Sequence, residues 1–248
     1  MSRIVVTGAS SGIGAALAEQ LAARGEQVVL AARRKDLLDA LAAKLGSTVH
    51  AVVADVTSRT DVDRLRDRAL DALGGVDVWV NNAGRGLSKS ALELTDAEFD
   101  EMMLVNVKSA LYGMQAIAPY FIERGRGHII NVSSFLSRVP MASIRAGYSA
   151  AKAALNSLTT NARMDLAASH PGIKVTLVMP GLVSTDFGKH ALHGTPPIRP
   201  GAGGAPPQTA GQVAEVIVRV IDRPVDEVYT NPVHAGIVQR YYAEPSVQ

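Results

Sequence analysis

The chain has 248 residues, 47% of them apolar, with 25 basic and 23 acidic residues and a formal charge of +2 at pH 7. That length and apolar content can fill a sizeable core, and the balanced charge leaves no basic patch for nucleic acid and no charged tail. With no cysteine there is neither a disulfide nor a thiolate metal site.

The N-terminus, MSRIVVTGASSGIG, enters an apolar run almost at once. No signal peptide is expected there, no stretch approaches the length of a membrane span, and the compartment expected is cytoplasmic. Residues 3–7 read as a strand, followed by Gly8-Ala9-Ser10-Ser11-Gly12-Ile13-Gly14 and a helix over 12–24 with Ile13, Leu17 and Leu21 on one stripe. Gly25 is a plausible C-cap for that helix. A glycine-rich turn between strand and helix is the context of a dinucleotide loop: glycines admit a pyrophosphate, and the helix N-terminus offers it N–H groups. The Gly-Lys-Ser/Thr ending of a P-loop is missing.

Residues 27–31 are a second strand, ending at Ala32-Arg33-Arg34. An acid here would bind the ribose 2′-hydroxyl of NAD, whereas arginine accommodates a 2′-phosphate. Ala32 in the acid's place, followed by Arg33, favours NADP(H), with NAD(H) still possible. A helix over 35–44 leads to a third strand ending at Asp55-Val56, and Thr57 or Ser58 caps the next helix, which Gly74-Gly75 stop. A fourth strand ends in Asn81-Asn82-Ala83-Gly84. This alternation predicts an α/β fold with a Rossmann-type doubly wound parallel sheet, helices on both faces and about seven strands, with ligands at the carboxyl ends of the strands.

Thr95-x-x-Glu98 is a capping box opening a helix that runs to about 123, with Asn106 inside it. Asparagine is a mediocre helix former, so Asn106 either serves the site or is a satisfied core amide. A fifth strand delivers Ser133 and Ser134 to its end. Next come Tyr148 and Lys152, four apart at the head of a helix and so on one face. An ammonium beside a phenol favours the phenolate, which suits proton transfer near neutral pH. The same spacing also fits a plain solvated helix face.

The sixth strand ends at Pro180-Gly181, after which periodicity is lost over 183–208. Too little chain follows for a second domain, so residues 1–248 are read as one domain with a lid at 184–208 that carries Phe187, Leu192 and Ile198. His190 and His193 lie in that stretch without an evident third ligand, so no metal is expected. Thr209-x-x-Gln212 caps a last helix, and EVYT is a short closing strand.

Taken together, these residues resemble the short-chain dehydrogenase/reductase family over essentially the whole chain. Thr7-Gly8-x-x-x-Gly12-x-Gly14 matches its cofactor motif, Asp55 its adenine contact, and Asn81-Asn82-Ala83-Gly84 the motif after strand four. Asn106, Ser134, Tyr148 and Lys152 match its catalytic tetrad. Pro180, Gly181, Val183 and Thr185 match the segment that meets the nicotinamide carboxamide.

The resemblance implies hydride transfer between NADP(H) and a carbonyl compound or a secondary or primary alcohol. Tyr148 would be the general acid/base, Lys152 would lower its pKa and bind the nicotinamide ribose, and Ser134 would donate to the carbonyl oxygen. Asn106 would hold a proton-relaying water. Cofactor contacts would come from Ser10, Ser11, Ile13, Arg33, Arg34, Val56, Asn82, Ala83 and Gly84 beside those named above. Substrate would meet Ser134, Leu136, Met141, Tyr148, Leu182 and Phe187, a mix that suits a small or medium hydrophobic carbonyl compound. The partners implied are that small molecule and further copies of the chain, as a homotetramer or dimer. The rival activities are a non-catalytic NADP-binding sensor or scaffold, and an epimerase or dehydratase on the same fold.

Overall fold

The computed structural model describes residues 1–189, 191–194 and 206–243. Seven strands form one sheet, and every neighbouring pair is parallel. In chain order they are β1 (Arg3–Thr7), β2 (Gln27–Ala32), β3 (Val49–Val53), β4 (Val78–Asn81), β5 (Gly127–Val132), β6 (Ile173–Met179) and, after two short strands, β9 (Glu227–Tyr229). The short strands β7 (Val183–Ser184) and β8 (Gln208–Thr209) pair only with each other. The sheet order is β3-β2-β1-β4-β5-β6-β9. The order reverses between β1 and β4, which opens a crevice outside their carboxyl ends.

Alternate residues on each strand face opposite sides of a sheet. Ile4, Val6, Val28, Leu30, Val78 and Val80 pack with Leu17, Leu21 and Ile217 on one face. Val5, Val29 and Trp79 pack with Leu65, Ile117 and Phe121 on the other. The first face is covered by α1 (Gly12–Ala23), α2 (Lys35–Leu45) and α7 (Ala210–Asp222), and the second by α3 (Arg59–Leu73), α5 (Ser109–Arg124) and α6 (Ala146–Ser169). A smaller apolar cluster joins Leu87, Met102, Val107 and Ala151, with Tyr148 against it. It braces the loop after β4 against α4 (Asp96–Met103) and α6.

Helix starts follow the expected caps. Ser58 takes the cap of α3, its Oγ accepting from Asp61 N at 3.3 Å. The boxes at Thr95/Glu98 and Thr209/Gln212 are both closed. Two features differ from expectation. The helix expected over 95–123 is α4 and α5 joined by a π-helical segment, Leu104–Lys108, with Asn106 at its centre. The chain also ends in a helix, α8 (Val233–Ala243), that periodicity alone does not reveal. Its signal is local: Asn231 Oδ1 accepts from Val233 N at 3.2 Å, with Pro232 between them. Among the described residues, no helix is long and apolar enough to cross a membrane.

Candidate active site

The crevice between β1 and β4 is closed by glycine on one side and threonine on the other. Gly8 has φ +67°, and a Cβ there would lie 2.8 Å from Ala83 Cα, so the two loops meet backbone to backbone. Thr7 Oγ1 accepts from the N–H of Asn82 at 3.0 Å and of Ala83 at 3.1 Å. The Asn82 amide donates to Thr7 O at 2.9 Å. Gly14 seats α1 on this loop, since a Cβ there would stand 2.5 Å from Gly8 O.

The start of α1 is built for an anion. Ser11 is the N-cap but makes no side-chain cap, and the first turn, which includes Ile13, carries no acid. Its free N–H groups and the positive end of the dipole therefore face the loop. Arg34 reaches the same place: its Nη2 donates to Ser10 Oγ at 2.9 Å and Ser11 Oγ at 2.6 Å. A cleft of about 610 Å³ runs between Ser11 and Gly12 on one wall and Ser184 to Asp186 on the other. Thr185 Cγ2 is 3.6 Å from a Cβ placed on Gly12. These residues fit the pyrophosphate of a dinucleotide.

The Arg33 charge acts on Asp55, next to Val56, while the hydrogen bonds to the loop serines come from Arg34. Burial works to raise the Asp55 carboxyl, but the Thr57 N–H and hydroxyl and the Arg33 charge outweigh it and hold it below its ordinary value. Asp55 Oδ1 accepts from Thr57 N at 3.0 Å and Thr57 Oγ1 at 2.7 Å. Of the two candidate arginines, Arg34 is therefore the one on the glycine loop.

The four tetrad positions come from β5, the π segment and α6. Ser133 and Ser134 diverge. Ser133 Oγ turns inward, donating to Asn156 Oδ1 at 2.6 Å and lying 3.2 Å from Lys152 O. Ser134 Oγ accepts from Leu136 N at 3.2 Å and lies near enough to the Tyr148 phenol to favour its charged form. Lys152 is only 3% exposed, its Nζ donating to Val132 O at 2.8 Å and standing 5.9 Å from the Tyr148 ring centroid.

The pKa expectation for this pair needs correction. Burial raises the Tyr148 phenol, and the nearby Ser134 hydroxyl and Arg145 charge offset this only in part. Burial also lowers Lys152 to about 7. Desolvation dominates both groups, and helix spacing does not reveal it. Asn106 is spent on the backbone: its Nδ2 donates to Arg85 O at 2.9 Å and its Oδ1 accepts from Arg85 N at 3.1 Å. Gly84 makes room for this, a Cβ there falling 2.9 Å from Asn106 Oδ1.

On the substrate side, the Phe187 ring meets Tyr148 edge-on at 5.8 Å. Leu87 and Leu192 form a bridge, and Ser88 Oγ donates to Gly194 O at 2.5 Å, so the start of the 184–208 stretch is seated on the loop after β4. His193 Nε2 bonds Glu98 Oε1 at 2.5 Å. Met141 is 50% exposed, while Leu136 and Leu182 are partly buried. His190 and Ile198 lie outside the described residues. Among the described residues no group of acids and histidines could hold a metal.

Pro180 and Gly181 carry an unforeseen neighbour. Pro180 O accepts from Phe135 N at 2.7 Å, and a Cβ on Gly181 would fall 2.0 Å from His234 Cε1. His234, from α8, stacks on Phe135 with centroids 4.1 Å apart. Sequence reasoning also passed over Arg145, three residues before Tyr148.

Comparison with known proteins agrees with this geometry. The family model for short chain dehydrogenases matches residues 2–195. An uncharacterized oxidoreductase of Staphylococcus epidermidis is 38% identical over 191 residues, covering 75% of this chain and 82% of the relative. A short chain dehydrogenase/reductase from Burkholderia phymatum, solved with NAD, has a TM-score of 0.87 at 26% identity, covering 98% of this chain and 93% of that one. A short chain dehydrogenase from Burkholderia cenocepacia, solved with NADP, has a TM-score of 0.81 at 31% identity, covering 98% of this chain and 94% of that one. The chain belongs to the short-chain dehydrogenase/reductase family, oxidoreductases acting on CH–OH groups.

Proposed function

We propose that the protein interconverts a carbonyl compound and an alcohol with NADP(H), using Tyr148 as general acid in reduction and base in oxidation. The observation that carries this reading is the placement of Ser134 beside the Tyr148 phenol, with the buried Lys152 Nζ 5.9 Å from the Tyr148 ring centroid. The three groups sit at the carboxyl edge of the sheet, near the crevice between β1 and β4. The nicotinamide, when bound, supplies or accepts the hydride.

Ser134 donates to the reacting oxygen, where charge develops in the transition state. Lys152 would hold the nicotinamide ribose and, when protonated, favours the phenolate. Asn106 is a positioning residue: its amide clamps the Arg85 peptide and so fixes the loop behind the site. Phe187 screens the phenol from water, the part of the lid reading that falls on described residues. NADP is preferred because Ala32 stands where an acid would repel a 2′-phosphate and Arg34 stands on the loop serines. The protein is a homo-oligomer in this reading, with exposed Phe99 and Met164 giving α4 and α6 apolar surface for contact between copies.

The test is NADPH consumption over a panel of aldehydes, ketones and acyl compounds, repeated with Tyr148→Phe. The variant keeps the ring and the fold, and it is expected to bind NADPH while losing about 10²–10⁴-fold in kcat. Turnover within a few-fold of the parent would remove Tyr148 from the chemistry. Catalysis without net NADPH turnover would favour an epimerase or dehydratase.

A further inference from the structure

His234 alone among the residues of α8 is buried, in a helix that otherwise lies at the surface. Its ring enters the molecule where the two sides of the site join. On one side it stacks on Phe135, with centroids 4.1 Å apart and planes 18° from parallel. On the other it lies against Gly181, where a Cβ would fall 2.0 Å from Cε1 and 2.8 Å from Nε2. Backbone closes the joint between them, Phe135 N donating to Pro180 O at 2.7 Å.

Each surface that the ring touches leads to a part of the site. Phe135 follows Ser134 directly and opens the short 3₁₀ turn Phe135–Ser137, which Ser134 caps, its Oγ accepting from Leu136 N at 3.2 Å. The residue after that turn is also held by α8, Tyr242 Oη donating to Arg138 O at 3.0 Å. Gly181 stands just past β6 and leads into Ser184 to Asp186, which wall the cleft opposite Ser11 and Gly12. The root of that wall is tied to the turn before α8: Gln208 N donates to Leu182 O at 2.8 Å, and Thr230 Oγ1 donates to Gln208 Oε1 at 2.6 Å. The end of the chain therefore grips both the serine turn and the cleft wall.

We propose that His234 is a positioning residue: its ring fixes the spacing between Ser134 and the wall over 181–186, and with it the distance between the reacting carbonyl and the nicotinamide half of the cofactor. The proposal rests on the reading of Ser134 and Tyr148 as the groups at the reacting oxygen and of the cleft as the cofactor site. Packed interiors hold little free space, so neighbours of a deleted ring shift to fill part of the gap. Two surfaces spaced by one flat ring then lose their set distance. Hydride transfer needs reacting atoms in near contact, and a misplacement of about 1 Å can cost about 10²-fold in rate. The Nδ1 of His234 is buried without a hydrogen-bond partner, so the ring acts by shape and stacking.

The test compares the parent with His234→Ala and His234→Phe at a temperature well below every unfolding midpoint. Equilibrium binding is measured for NADP⁺ and for adenosine 2′,5′-bisphosphate, which keeps the adenosine and the 2′-phosphate but lacks the diphosphate bridge and the nicotinamide. His234→Ala should weaken NADP⁺ on the order of tenfold and leave the fragment within about threefold. Its kcat on the best substrate of the carbonyl panel should fall on the order of tenfold or more, with KM for that substrate changed by no more than about threefold. His234→Phe, which keeps the stack, should stay near the parent in both. If His234→Ala does not fold, His234→Leu fills the volume without a flat ring and carries the same expectation.

An unchanged ratio of the two affinities in His234→Ala would overturn the proposal, because a ring that only stabilises the fold cannot favour one half of the cofactor. An unchanged kcat in that variant of an active parent would overturn it too, as would a loss in His234→Phe equal to that in His234→Ala. A parent with no turnover, in which His234→Ala still lowers the affinity ratio, would strike the oxidoreductase reading and leave His234 as the residue that sets the cleft wall. Turnover in the parent with an unchanged ratio in His234→Ala would strike the positioning role alone.

Discussion

Lys152 shows how one buried residue links stability to chemistry. In the folded chain it titrates near 7, because burial disfavours the ammonium, against an ordinary value of 10.5. Between those values the unfolded chain binds more protons than the folded one, so this residue makes stability rise with pH across that range. Below about pH 7 both states are charged and the burial penalty is constant. Lys152→Met removes the titration. Denaturant unfolding at pH 7 and pH 9 should therefore show the parent gaining more stability between the two than the variant. An equal gain in both would mean that Lys152 is not the group responsible. The same titration leaves the ammonium only partly charged at neutral pH.

At the scale of elements, the loop from β1 to α1 and the terminal helix α8 each set part of the site. The loop has an uncapped helix start, two serines and Arg34. Arg34→Ala should raise KM for NADP on the order of tenfold or more and leave KM for NAD nearly unchanged, since only the former carries a 2′-phosphate. The ratio of kcat/KM for the two cofactors is the readout. The other element, α8, inserts His234 between Phe135 and Gly181 with its Nδ1 buried and unpartnered. His234→Ala should cost about 2 kcal/mol from lost packing. His234→Phe keeps a ring on Phe135 and removes the orphaned nitrogen, so it should hold or raise the unfolding midpoint. Thermal unfolding of the three proteins decides this.

For the molecule as a whole, acid sensitivity should come from histidine before carboxylates. His128 is buried on β5, with Nε2 2.9 Å from Thr176 Oγ1, and burial, aided by Lys174, lowers it to about 4. Between pH 6.5 and 4 the unfolded chain binds the proton that the folded chain refuses, so stability falls as pH drops through this window. Asp77, the carboxylate that ties β4 to Arg3 and Arg124, is held at about 2 against the raising effect of burial, and its loss begins only as pH approaches 4. His128→Gln should flatten the fall between pH 6.5 and 5. Urea midpoints at those two pH values provide the check.

The strands, the helix caps and the glycine loop were legible in the sequence because each is written by neighbours along the chain. Thr95 and Glu98 close their box three residues apart, and Ile4 and Val6 alternate with Val5 across two faces. The parallel sheet followed from the alternation of strands and helices. What local pattern could not reach are distances between residues far apart in sequence and the dielectric around them. Ser133 and Ser134 are neighbours on one strand end, and only the packed structure turns Ser133 to Asn156 and leaves Ser134 beside the Tyr148 phenol. Arg33 and Arg34 are neighbours, yet the Arg33 charge acts on Asp55 while Arg34 donates to Ser10. The Tyr148–Lys152 spacing placed an ammonium beside a phenol, but burial, a property of the packed molecule, moved both pKa values against that expectation. Spacing in sequence sets which groups can meet, and tertiary packing sets how much water remains when they do.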